Sequence, residues 1–234
     1  YVDTYPTFQL DPDALEKKIT PRTKAILFSS PSNPCGVVYT DEVLKGVARI
    51  AAKHGVPVLS DEIYADFCYD TPFRSISEFY PDTLVMGGFS KSLAMTGWRL
   101  AWATGPRELV QAMAKAQQFT FVCAPSMAQA AAASAIGFRM DAEIASYRAK
   151  RDRVCSSLRE MGYELTTPGG AFYVFPKVPW GTDQEFVEHA VKQRLLIVPG
   201  SALSERNTHF RISYATTDEK LEEGLSILRS IIRR

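Results

Sequence analysis

The sequence predicts an α/β protein in which part of a mostly parallel sheet is followed by a small α+β domain. Three observations predict it. Short apolar runs over 24–29, 56–60 and 83–88 are separated by a long amphipathic stretch, the pattern of strands joined by a helical crossover. About ten residues link Gly88 to Trp98, too few for such a crossover, so the run Trp98–Ala103 is expected to lie antiparallel to its predecessor. Beyond residue 140 short strands alternate with capped helices. The domains expected are 1–140, carrying the sheet, and 141–234, the small α+β domain.

In chain order, Asp11–Ile19 is a short helix candidate, and Lys24–Ser29 reads as a buried strand. The Pro31-Ser32-Asn33-Pro34-Cys35-Gly36 stretch stops any regular element. Thr40 is a suitable N-cap, with Asp41 and Glu42 in the first turn. Val43, Leu44, Val47, Ile50 and Ala51 then recur at helical spacing up to Gly55. Val56–Ser60 is the second strand, 65–82 a loop with one helical turn, and Thr83–Gly88 the third strand. Pro106 suits the first position of a helix whose apolar face is Leu109, Val110, Met113 and Ala114. Ala-rich Pro125–Ile136 and arginine-rich Asp141–Met161 are further helices. Phe172–Phe175, Leu196–Val198 and Phe210–Tyr214 are short strands. Thr182-Asp183-Gln184-Glu185 is a capping box, and Leu221, Leu225, Leu228 and Ile231 mark the last helix. Trp98 and Trp102 are expected in the core.

Composition narrows the function. With 234 residues, 46% hydrophobic and 23% charged, the chain is an ordinary globular sequence. Its net charge of +1 and the lack of a basic block argue against nucleic acid as a partner. No apolar run reaches the roughly 18 residues of a membrane span. Cys35, Cys68, Cys123 and Cys155 form no CxxC pair and the histidines are scattered, so no metal site is expected. Thiols acting as small hydrophobes suit a reducing, cytoplasmic compartment. The opening Tyr1-Val2-Asp3-Thr4 reads as a cut made inside a longer protein.

Ligands of open α/β sheets bind beyond the carboxyl ends of the strands. Asn33, Asp61 with Tyr64, and Ser90-Lys91 each follow one expected strand, so parallel strands bring them to one edge. An amine, a carboxylate, a phenol, an amide and arginines together match the needs of pyridoxal phosphate. Its aldehyde takes a lysine amine, its ring nitrogen a carboxylate, its 3′ oxygen donors, and its phosphate an arginine with a hydroxyl. A second arginine suits a substrate carboxylate.

Asn33-Pro34-Cys35-Gly36, Asp61-Glu62-Ile63-Tyr64, Ser90-Lys91 through Thr96-Gly97-Trp98-Arg99, and Phe210-Arg211-Ile212-Ser213 occur in the order seen in class I/II aminotransferases, and the chain resembles the C-terminal part of these fold-type I pyridoxal-phosphate enzymes. The resemblance implies that Lys91 forms the Schiff base and moves the proton during transfer, with Asp61 on the pyridine nitrogen. It implies Tyr64 and Asn33 on the 3′ oxygen, Ser90 and Arg99 on the phosphate, and Arg211, assisted by Asn33, on the substrate α-carboxylate. Gly97 is expected to permit a tight turn before Trp98, and Phe172 to line the substrate side of the small domain.

The implied reaction moves an amino group between an L-amino acid and a 2-oxo acid, in a homodimer. Family members have a longer N-terminal part with a phosphate-gripping loop and a stacking aromatic, so the fragment alone is expected to bind the cofactor poorly. The family tends to have Gly-Ser-Ala-Phe-Gly where this chain has Gly200-Ser201-Ala202-Leu203-Ser204, and a hydroxyl where it has Gly88. Two other readings use the same residues: a C–S β-lyase, and a non-catalytic aminotransferase-like ligand-sensing domain.

Overall fold

The structure is a computed structural model and describes residues 1–233. The chain divides into two compact units, residues 1–32 with 38–140, and residues 33–37 with 141–234.

In the first unit, strands β1 (Ile26–Ser29), β2 (Val58–Asp61), β3 (Thr83–Gly88) and β4 (Ala101–Thr104) form a sheet in the order β1-β2-β3-β4. The first three are parallel and β4 is antiparallel to β3. Helix α2 (Asp41–His54) makes the crossover from β1 to β2. Its start is fixed by Thr40, whose hydroxyl accepts from the Val43 amide, and Gly55 ends it at φ 61°. Leu44, Val47, Ile50 and Ala51 face Ile26, Phe28, Val56 and Val58, the core of this unit. Helix α1 (Pro12–Glu16) adds Leu15 and is shorter than expected, because the chain turns at once, with the Thr20 amide bonded to the Thr23 hydroxyl at 3.0 Å.

The run after Lys91 departs from expectation. Strand β4 begins at Ala101 rather than Trp98, because Thr96–Trp98 form a turn of 3₁₀ helix and Arg99 is left-handed at φ 54°. Gly97 lies within that turn. Strand β4 does run antiparallel to β3 as expected and is its direct neighbour, with Val85 opposite Thr104. Trp98 and Trp102 are 49% and 44% exposed, so neither belongs to the core. Trp102 instead lies across the sheet surface over Gly87, where a Cβ would come within 2.3 Å of its indole. Pro106 caps helix α3 (Arg107–Gln117) rather than opening it, and α3 fully buries no residue: Leu109 is half-buried, and Val110, Met113 and Ala114 are exposed. Helix α4 (Ser126–Ser134) packs Ala128 and Ala132 against Met95 and Leu100.

In the second unit a sheet of order β5-β7-β6 is built from β5 (Tyr173–Val174), β6 (Val198–Pro199) and β7 (Phe210–Ser213), all pairs antiparallel. Helices α5 (Asp141–Met161), α6 (Asp183–Lys192) and α7 (Asp218–Ile231) supply Val154, Leu158, Phe186, Ala190, Leu225 and Leu228 to one core with Val174, Phe210 and Ile212. Each fully buried leucine there contributes roughly 2 kcal/mol. The capping box at Thr182 and Glu185 is formed in both directions. The segment Asn33–Val37 is held on this unit by the Gly170 amide, which donates to the Gly36 carbonyl at 2.9 Å. Only glycine fits at 36: φ is 66°, and a Cβ would lie 2.4 Å from that of Pro168. Among the described residues no helix is long and apolar enough to cross a membrane.

Candidate active site

Parallel pairing sets the first cluster. Asp61 ends β2, in register with Ser29 of β1 and Met86 of β3, and Ser90-Lys91 follow β3 at the same edge. The Asp61 carboxylate accepts from the Ile63 amide at 3.1 Å, and the Glu62 amide donates to the Met86 carbonyl at 2.8 Å. Two tight turns follow, Ala65 to Glu62 and Phe67 to Tyr64, and they carry Tyr64 and Phe67 into the interior. The Lys91 ammonium lies 5.8 Å from the centre of the Tyr64 ring, at the outer reach of a cation–π contact. Glu62 supports this turn from below. Its buried carboxylate accepts from the hydroxyls of Ser60 at 2.9 Å and Ser75 at 2.7 Å. Burial raises its pKa against the opposing pull of those two hydrogen bonds.

Ser90 and Lys91 are half-buried, and Arg99 is exposed with Nη1 donating to the Thr96 carbonyl at 2.9 Å. The loop between them is closed by the amide of Phe89 on Leu100 and by the amides of Leu93 and Met95 on the Phe89 carbonyl. Both phosphate candidates thus leave the sheet through one short loop.

The second cluster belongs wholly to the second unit. Arg211 Nη1 donates to Asn33 Oδ1 at 2.7 Å. Its guanidinium carbon sits 4.6 Å above the centre of the Tyr173 ring. Nε of Arg211 is buried and has no hydrogen-bond partner, an arrangement that costs about 1–3 kcal/mol until an acceptor arrives. The contact of Asn33 with Arg211 spans 178 residues of sequence, and it depends on the Gly36 turn that seats residues 33–37.

The expected residues therefore fall in two groups, Asp61, Tyr64, Ser90, Lys91 and Arg99 in the first unit, and Asn33 with Arg211 in the second. Sequence reasoning did not find Tyr173 or Glu62 as neighbours of these groups. Tyr173 has no motif of its own. Its place under Arg211 comes from strand register, which opposes Tyr173 to Ser213. Glu62 carried a signal, an acid inside a strand-end motif, but its two hydroxyl partners are remote or unremarkable in sequence.

The donor set suits pyridoxal phosphate: a lysine amine beside a phenol, an acid at the next strand end, and a serine and an arginine leaving one loop. The unpaired donor of Arg211 suits a carboxylate.

Comparison with known proteins gives the family. The family model described as aminotransferase class I and II matches residues 1–228. A putative aminotransferase of Bacillus subtilis is 42% identical over 94% of this chain and 59% of its own length. The aromatic-amino-acid aminotransferase 2 of Thermococcus litoralis is 36% identical over 97% of this chain and 61% of its own. The solved aspartate aminotransferase from Thermus thermophilus with maleate superposes with a TM-score of 0.91 at 34% identity, covering 96% of this chain and 61% of that one. The chain thus spans about 60% of the length of the curated relatives it matches. With 228 matched residues and an α/β, mostly parallel fold shared at that score, the chain belongs to the class I and II aminotransferases.

Proposed function

We propose that the protein is a pyridoxal-phosphate-dependent aminotransferase that exchanges an amino group between an L-amino acid and a 2-oxo acid, with Lys91 as the lysine that carries the cofactor. The observation that carries this reading is the cluster at the strand ends, where the Lys91 amine stands 5.8 Å from the Tyr64 ring and Asp61 ends the neighbouring strand. Relatives named as aminotransferases support transfer over β-elimination.

When bound, pyridoxal phosphate supplies an aldehyde that takes up an amine and a ring that accepts electrons from the substrate α-carbon. Asp61 would pair with the ring nitrogen, and the Ile63 amide, which donates to its carboxylate, orients it. Tyr64 would donate to the 3′ oxygen. The Oδ1 atom of Asn33 accepts from Arg211, and its amide NH₂ is the donor Asn33 would add at the carboxylate subsite. Ser90 and Arg99 hold the phosphate. Lys91 would hold the cofactor through its amine and, once free, would serve as the base that moves the substrate α-proton. Arg211 binds the α-carboxylate common to all donors. In the whole enzyme the working form is a homodimer, and the exposed Phe119, Phe121, Met127 and Phe138 are apolar surface of the kind such contacts cover. The cysteines are free thiols, and burial pushes the pKa of Cys35 and Cys68 up to about 12, which leaves them unreactive.

The test is an amino-donor screen on the cofactor-loaded enzyme with Arg211→Ala beside wild type. KM is expected to rise for every amino donor by about a hundredfold, as when a buried charged partner is lost. An unchanged KM removes Arg211 from the carboxylate site, and absence of transfer with any donor rejects the reaction.

A further inference from the structure

We infer that Tyr173 is a positioning residue of the carboxylate subsite, its ring serving as the platform that holds the Arg211 guanidinium in the plane in which it meets a carboxylate. The inference rests on the reading of Arg211 given above. Tyr173 pairs with Ser213 across antiparallel strands, so Arg211 is its diagonal neighbour on the same face. The guanidinium carbon lies 4.6 Å over the ring centre, well inside cation–π range. Tyr173 is 7% exposed, which makes the ring a fixed surface. It is backed by other rings: Phe172 lies 4.9 Å away, tilted by 52°, and Tyr147 of α5 stacks on Phe172 at 5.7 Å and 29°.

These contacts restrict Arg211 from two directions. The ring covers one face of the guanidinium, and Asn33 Oδ1 takes one edge through Nη1 at 2.7 Å. The donor these contacts leave over is Nε, buried and without a hydrogen-bond partner. Recognition of a carboxylate by arginine is planar and bidentate, so a guanidinium already fixed in its plane loses less freedom on binding. A leucine or methionine at 173 keeps an apolar side chain there but offers no negative ring face.

The experiment compares wild type, Tyr173→Phe, Tyr173→Leu and Arg211→Ala as cofactor-loaded enzymes. It measures the dissociation constant of succinate, an inert carboxylate probe, by calorimetry, together with KM and kcat for an amino donor and the melting temperature. Tyr173→Leu is expected to weaken succinate about threefold to thirtyfold, the range that a cation–π contact spans from exposed to desolvated sites. KM rises by a similar factor and kcat moves less. Tyr173→Phe, which keeps the ring, restores both. Should the leucine variant fold poorly, Tyr173→Met supplies the non-aromatic comparison with a flexible side chain that adapts to the same gap. A non-aromatic variant that binds succinate as wild type does, or a phenylalanine variant as weak as the leucine one, overturns the inference. Unchanged succinate binding in Arg211→Ala overturns the carboxylate assignment itself, and this inference with it.

Discussion

The two units use the same kinds of helix and treat them differently. In the second, α5 buries Val154, Cys155 and Leu158 and α7 buries Leu221, Leu225, Leu228 and Ile231 against one sheet. In the first, α2 is packed as fully, yet α3 buries nothing and β4 shows an exposed pattern along most of its length. Sequence periodicity is equally clear in α2 and α3. An amphipathic pattern states which face of a helix needs cover, and it does not state whether anything covers it. Stability in this molecule is therefore expected to be uneven, highest around the second core and around α2, lowest through α3.

The largest expected consequence is in amide hydrogen exchange. Amides of α7 are expected to exchange only through global unfolding, whereas those of α3 open locally, with protection lower by about a thousandfold or more. Equal protection in α3 and α7 breaks the comparison. Next come core truncations. Leu158→Ala, at a side chain with 0% exposure, is expected to cost about 2–5 kcal/mol by denaturant unfolding. Val110→Ala on α3 is expected to stay within about 0.5 kcal/mol. A cost for Val110 approaching that of Leu158 would show that α3 is packed in solution.

The smallest effect is a pH dependence of opposite sign in the two units. Burial, with Lys177 and Arg206 nearby, lowers the pKa of His209 from its ordinary 6.5, so the folded second unit binds fewer protons than the unfolded chain. Its contribution is present above pH 6.5 and is lost as pH falls through the lower folded value. Burial raises Glu62 from its ordinary 4.5, so the contribution there is present below pH 4.5 and is lost as pH rises through the folded value. His209→Gln should flatten the acid-side loss, and Glu62→Gln should flatten the loss on the other side. Melting temperatures recorded against pH check both, and slopes left unchanged by the substitutions contradict the assignment.

Much of the fold was legible in the sequence because local chemistry wrote it. Thr40 and Gly55 bracket α2, Thr182 and Glu185 form the capping box of α6, and Thr83–Gly88 is a strand from end to end. The clustering of Asp61 and Lys91 at one sheet edge followed from counting crossovers. What stayed hidden depends on partners distant in sequence. Trp98 and Trp102 are apolar enough for a core, but among the described residues nothing buries them. The left-handed Arg99 that ends the turn of Thr96–Trp98 had no signal in the sequence. The platform under Arg211 depends on which strand pairs with which and in what register. The motifs around Asn33 and Arg211 gave no sign of Tyr173.

The central claim is that Lys91 carries the cofactor. The most direct measurement is borohydride reduction of the enzyme loaded with pyridoxal phosphate, followed by peptide mapping in a mass spectrometer. A pyridoxyl adduct on the peptide that contains Ser90-Lys91, absent in Lys91→Ala together with the near-visible absorbance band, is the result this account predicts. An adduct on another lysine, or a band that persists in Lys91→Ala, would contradict it.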